Sequence, residues 1–355
     1  MKQIITYQMN KRSPLRWLFV AISLFLFSPV FVNAEEANLN FYVTPEFPES
    51  QLEGSEQYFN LNAEPGSTEK LSLKLQNADD KTKAILITPH TAFTNVMGVV
   101  EYGKDAEEAD PTLPYSLAEL METPEPIELA GNETKIVEIP LTLPKEAFEG
   151  FLAGGLRISE VREEKEEEAT DEEGVAIKNE FAYVVGVVVS NSRSSVQPDL
   201  ELLDVFADQL NYRNVISANL QNFTPTFVNR LKVEATVQKE GEKAILYQAS
   251  QEQMQMAPNS NFNFPISLAG DRFQSGDYVL KLKATSGEEE WEWERTFTIE
   301  ADEARRLNRQ DVTIDSSVNW WMVGSLILLF LLAVVLSYIF YRKNRENKKN
   351  NQNME

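Results

Sequence analysis

The chain has 355 residues with 55 acidic against 33 basic side chains, a formal net charge of −22, no cysteine and one histidine, His90. Missing thiols and a lone imidazole exclude thiol catalysis and a multi-histidine metal site. Negative charge on this scale argues against nucleic acid, and against adhesion to anionic lipid or anionic wall polymer, and leaves cationic or neutral partners.

In chain order, Lys2, Lys11, Arg12 and Arg16 precede the apolar run WLFVAISLFLFSPVFV, and Val32-Asn33-Ala34 places small residues at a cleavage position. This pattern predicts a secretory signal peptide over 1–34, with an uncleaved signal anchor as the other reading. Setting aside four basic residues of the leader, and five basic and two acidic ones of the extreme C-terminus, the middle keeps 24 basic against 53 acidic side chains, close to −29. A secreted chain of this size without cysteine suits a bacterial exterior.

From residue 37 onward, short segments of alternating apolar residues recur with turn residues between them. Leu71/Leu73/Leu75, Val137/Ile139/Leu141/Leu143, Leu231/Val233/Ala235/Val237, Phe262/Phe264/Ile266 and Trp291/Trp293/Phe297/Ile299 are the clearest. Period-two alternation predicts strands with one buried face, so the expected fold class is all-β, two tandem immunoglobulin-like sandwiches plus one C-terminal transmembrane helix. PYSLAELME (114–122) reads as a short helix within a loop of the first sandwich.

The expected first sandwich covers 37–192. The acidic run EEKEEEATDEE forms a hairpin tip at 163–173, between GGLRISEV and FAYVVGVVVS. The latter is apolar on both faces and predicts a central strand. The polar stretch NSRSSVQPD (191–199) separates it from the second sandwich, 198–300, and 301–318 is expected to be a stalk. Trp320 to Tyr341 then gives 22 residues without a charge, followed by Arg342, Lys343, Arg345, Lys348 and Lys349. A membrane helix over 319–341 with a basic cytoplasmic tail, 342–355, is the expectation, which leaves the acidic middle outside the cell.

Two stretches carry binding chemistry. In TAFTNVMGVVEY (91–102), Phe93, Thr94, Asn95 and Tyr102 combine ring faces with amide and hydroxyl groups, the parts from which sugar sites are made. The same stretch also reads as a loop whose Asn caps a turn and whose aromatics enter the core. In QEQMQMAPNSNFNFPI (251–266), Met254, Met256 and Asn259 suit an adaptable protein-binding edge, or ordinary hairpin packing. A catalytic His90 lacks an accompanying nucleophile motif. A carboxylate-dependent wall-glycan hydrolase is the enzymatic alternative, although with 53 acids some suitably spaced pair is inevitable.

YFNLNAEPGSTEKLSLKLQN (58–77), AFTNVMGVVEY (92–102) and PKEAFEGFLAGGLRIS (144–159) resemble the N-terminal module of the WxL-interacting proteins of low-G+C Gram-positive bacteria. MAPNSNFNFPI (256–266), SGDYVLKLKA (275–284) and WEWERTFTI (291–299) resemble the C-terminal module of that family. The resemblance implies a non-enzymatic envelope protein without cofactors, whose first module binds peptidoglycan and whose second binds host protein. Its partners would be peptidoglycan, secreted WxL-domain surface proteins and, for an adhesin, host extracellular matrix protein. Two sandwiches in line reach roughly 70–100 Å, which puts the inner wall and its proteins within range before any host surface.

Overall fold

The computed structural model describes residues 40–122, 124–161, 181–314 and 320–352. The leader 1–34 and the acidic run 163–173 lie outside them.

Ten strands build the first unit: β1 (Phe41–Glu46), β2 (Phe59–Asn62), β3 (Thr68–Asn77), β4 (Lys83–Thr91), β5 (Phe93–Thr94), β6 (Val100–Glu101), β7 (Ile127–Leu129), β8 (Thr134–Thr142), β9 (Leu152–Glu160) and β10 (Ala182–Ser190). One sheet runs β1-β3-β8 and the facing sheet β2-β10-β9-β4-β7, while β5 and β6 form a separate two-stranded ribbon. Leu71, Leu73 and Leu75 of β3 bury the same face as Ile139 and Leu141 of β8, opposite Ile85, Ile87, Leu156, Ile158 and Val187. β10 is the FAYVVGVVVS strand. It pairs antiparallel with β9 and parallel with β2, which fixes it inside the sheet. PYSLAELME contains a single 3-10 turn, Ala118–Leu120, rather than a helix.

Seven strands build the second unit: β11 (Leu200–Leu210), β12 (Arg213–Asn222), β13 (Val228–Lys239), β14 (Ile245–Met256), β15 (Ser260–Ser267), β16 (Gly276–Ser286) and β17 (Glu289–Ile299). Sheet β11-β12-β15 faces sheet β14-β13-β16-β17 across a core that includes Leu202, Ile216, Leu231, Val233, Phe264 and Leu280. The mostly-β architecture with immunoglobulin-like sandwiches and one long apolar C-terminal helix agrees with the sequence expectation.

Of the expected stalk, residues 301–314 are described, and they pack against the second sandwich. Ala301–Gln310 is helix α1, and it buries Ala304 and Leu307 against the second core. Asn308 locks it: its Oδ1 accepts from the Asn214 amide at 2.9 Å and the Phe273 N–H at 2.8 Å, and its Nδ2 donates to the Phe273 carbonyl at 3.0 Å. Asp311 follows, 6% exposed, accepting from the Asn214 N–H at 2.7 Å. Burial raises the Asp311 carboxyl pKa, but bonds from Thr313 and the Asn214 and Ile314 N–H groups outweigh it and hold the pKa below its usual value. Period-two reasoning missed this because the helical stripe is only two residues wide. Asn308→Ala leaves three polar partners unsatisfied and is expected to cost about 2–4 kcal/mol of unfolding free energy in urea titration.

Helix α2, Trp320–Gln352, contains an unburied apolar stretch, Trp321–Ile339, long and apolar enough to cross a membrane. The helix continues without a break through the basic residues predicted to form the tail.

Candidate functional site

The two sandwiches meet end to end, and the stretch 91–102 forms part of the seam. Asn95 turns the β5–β6 ribbon: its Oδ1 accepts from the Met97 N–H at 2.9 Å and the Val99 N–H at 3.2 Å. Gly98, at φ +64°, lies directly on Met254 of β14. A Cβ there would overlap the Met254 sulfur and stand 2.6 Å from its Cγ. The Gly98 carbonyl accepts from the Gln255 N–H at 2.8 Å, and the Met97 carbonyl from the Gln251 amide at 2.8 Å.

Thr94, 2% exposed, accepts from the Ala257 N–H at 3.0 Å and lies 2.6 Å from the Ser260 hydroxyl. Asn259 reaches the Thr112 hydroxyl at 3.2 Å and the Phe223 carbonyl at 3.0 Å. Met254 and Met256 are buried in the second core. The structure thus brings Thr94, Asn95, Met254 and Asn259 to one boundary, while Phe93 stands beside it under Lys104, whose ammonium is 5.8 Å from the ring centroid.

Asp110 is the polar centre of the seam. It is 7% exposed and accepts from the Gln221 amide at 2.9 Å with each oxygen, from the Asn261 amide at 2.6 Å, and from the Thr112 N–H and hydroxyl. Burial works to raise its pKa, but the bonds from Asn261, Thr112 and Gln221 prevail and hold it below the usual carboxylate value.

His90, next to last in β4, has its Nδ1 2.9 Å from Asp105, whose other oxygen takes the Thr91 N–H. Among the described residues no group of three or more His, Asp or Glu is arranged to hold a metal ion. A hollow of about 840 Å³ lies over β13–β14–β16–β17, where Lys281 pairs with Glu294 and Lys283 with Glu290 and Glu292. Those charges satisfy one another and leave no unpaired set for a ligand.

A second cleft, about 530 Å³, opens between the sandwiches and has the features of a binding site. Its walls are the rings of Tyr58, Tyr102, Phe151 and Phe227, with Asn60, Asn229, Gln255 and Arg193 between them. Phe151 and Phe227 come from different sandwiches and lie with centroids 6.0 Å apart. The Arg193 guanidinium stands 5.3 Å over Phe151 and donates to the Asn60 Oδ1 at 2.6 Å and the Leu61 carbonyl at 2.8 Å. Its buried Nε has no partner, and burial pulls its pKa down from the usual guanidinium value. Tyr102 is pushed up to about 12, first by burial and then by Tyr58, so its ring meets a ligand uncharged.

Gly186 lies on the floor of the cleft, where a Cβ would be in ordinary contact with Tyr58 at 3.5 Å. Ring faces for C–H surfaces, amides for hydroxyls and acetamides, and one cation for a carboxylate make a set suited to an acidic sugar or sugar-peptide. Of these residues the sequence singled out only Tyr102. The others are spread from 58 to 255, and their one local signal is an arginine inside an otherwise uncharged NSRSS stretch.

Comparison with known proteins gives two family matches. A model described as WxL Interacting Protein, peptidoglycan binding domain, matches residues 41–160, and one described as WxL Interacting Protein, host binding domain, matches 172–309. The second match takes in β10, which the fold places in the first sandwich between β2 and β9. No curated protein matches the chain. Among solved structures, the YadV chaperone is 10% identical, covering 74% of this chain and 100% of its own, with a TM-score of 0.28. The E. coli chaperone DraB is 12% identical, with coverages of 67% and 92% and a TM-score of 0.26. The PapD-like domain 7 of human CEP192 is 11% identical, with coverages of 55% and 100% and a TM-score of 0.25. Likeness this distant carries nothing about function.

Proposed function

Because the chain belongs to the WxL-interacting protein family, a family of cell-surface binding modules, we propose that it is a membrane-anchored surface protein that grips peptidoglycan in the cleft between its sandwiches. The observation that carries this is the composition of the cleft: four aromatic rings, the side-chain amides of Gln57, Asn60, Asn229 and Gln255, and a single arginine, on a molecule whose surface is otherwise strongly acidic. Wall glycan offers N-acetylated sugars for the rings and amides, and its peptide stems offer carboxylates for Arg193.

The anchor is the apolar stretch 321–339 with the basic residues after it, inserted once the leader has taken the chain across the membrane. Held there, the molecule meets the inner wall and secreted WxL-type proteins, and its contact with host protein is indirect. It acts by binding, and the Asp110 carboxylate at the seam is engaged in holding the two sandwiches together.

Co-sedimentation of the detergent-solubilised full chain with purified peptidoglycan tests the reading. Tyr58 is 38% exposed at the rim of the cleft, so Tyr58→Ala removes a stacking face without opening the core. It is expected to weaken binding about tenfold, equivalent to about 1.4 kcal/mol. Undiminished binding in a Tyr58→Ala/Asn229→Ala double variant would sink the assignment of the cleft.

A further inference from the structure

The end of the second sandwich farthest from the seam carries features that wall binding leaves unused. There β11 turns into β12 through Asn211 and Tyr212, with φ of 51° and 58°. A two-residue turn of this kind favours Asn and Gly, and a bulky residue adopts it at a cost. The second position is nevertheless a tyrosine, 70% exposed, beside Val312, 68% exposed, whose N–H donates to the Tyr212 carbonyl at 3.0 Å.

Around this pair stand Arg213 at the start of β12 and Arg305, Arg306 and Arg309, exposed on the outward side of α1. Of the acids at this end, Asp311 is buried and bonded to Asn214 and Thr313, Asp302 and Glu303 lie one helical turn before Arg305 and Arg306, and exposed Asp271 follows Gly270, where a Cβ would stand 3.8 Å from Thr313. Four guanidiniums beside two exposed apolar side chains form a local cationic patch on an acidic ectodomain.

Its position relative to the anchor is tightly limited. Five residues, 315–319, join Ile314 to Trp320. Fully extended chain covers at most about 3.5 Å per residue, so Ile314 stays within about 20 Å of the head of the span.

We propose that this end of the second sandwich rests on the outer face of the cell's own membrane and binds anionic phospholipid headgroups. Guanidinium forks suit phosphate oxygens, and a tyrosine ring with a neighbouring valine suits the boundary between headgroups and acyl chains. The contact holds the cleft at a set height above the bilayer. It rests on the anchored reading above.

A chain without cysteine accepts single labels cleanly. The full chain, carrying a fluorophore at Tyr212→Cys or, as a second position, Val312→Cys, is placed in nanodiscs containing nitroxide lipid. Thr44→Cys in the first sandwich is the remote control, and Gly324→Cys reports the span. In discs of phosphatidylglycerol and phosphatidylcholine, the labels at 212 and 312 are expected to be quenched roughly threefold more than the label at 44. The excess disappears in phosphatidylcholine alone, in high salt, and in Arg305→Glu/Arg306→Glu/Arg309→Glu.

Labels at 212 and 312 that behave like the one at 44, while 324 is quenched, overturn the inference and leave the anchor standing. Equal quenching at 212 and 312 in both lipids overturns the assignment to anionic headgroups. An unquenched label at 324 overturns the anchor and this inference with it.

Discussion

Asp110→Ala is expected to lower the unfolding free energy by about 3–5 kcal/mol, the range for removing one partner of a buried, charge-centred network. The loss does not stop at the bonds to the carboxylate. Gln221, 4% exposed, keeps a buried amide with nothing to donate to, and Asn261 loses its 2.6 Å partner. Both partners belong to the second sandwich, so the damage falls on the seam. Trp291 and Trp293 lie in the second sandwich, and the first has no tryptophan. Indole emission compared with backbone circular dichroism in a urea titration therefore reports whether the units, coupled in the native chain, unfold separately in the variant.

The pH dependence has a definite sign. Asp110 has a folded pKa below its unfolded one, so its contribution is complete above the unfolded value, about 4, and drains away as pH falls through the folded value. Acidification from pH 7 to 3 is expected to destabilise the native protein more than an Asp110→Asn variant. Parallel pH profiles for the two would refute the assignment.

Gly150→Ala is the second large effect. Gly150 has φ +64°, and a Cβ there would overlap the Pro225 carbonyl oxygen and stand 2.8 Å from its carbon. That same carbonyl accepts the Phe151 N–H at 2.8 Å, a backbone bond across the seam. Left-handed strain of about 1–2 kcal/mol adds to overpacking of about 1–3 kcal/mol, for an expected loss of about 2–5 kcal/mol. Gly54 separates the two contributions, because its φ is +80° and a Cβ would meet nothing within 4 Å. Gly54→Ala should show the strain alone. If the two variants cost the same, the close approach at Pro225 is not what demands glycine at 150.

Most of the strand framework was legible because a sheet with one buried face forces alternation. Leu231, Val233, Ala235 and Val237 announce β13, and Phe262, Phe264 and Ile266 announce β15, with every one of them buried. FAYVVGVVVS announced a central strand and is paired on both edges, but its second apolar face, with Val184, Gly186 and Val188, lines the cleft instead of lying under a further layer. Helix α1 was hidden by its narrow apolar stripe.

The cleft was harder to read, since Tyr58, Phe151, Arg193, Phe227 and Gln255 share no spacing and meet only through the docking of two separately formed sandwiches. The hydroxyl of Thr94 and the amides of Asn95 and Asn259 look the same in sequence whether they serve a sugar or a neighbouring module. Here they bond across or beside the seam.

The lane occupied by β10 sets a timetable for assembly. β2 and β9 are its two neighbours, yet β10 is the last of the three to be made. A polypeptide made amino-end first therefore waits with its five-stranded sheet split until residue 190 has been added. A fragment ending at residue 160 would retain that gap permanently, with two unpaired edges inviting strands from other molecules.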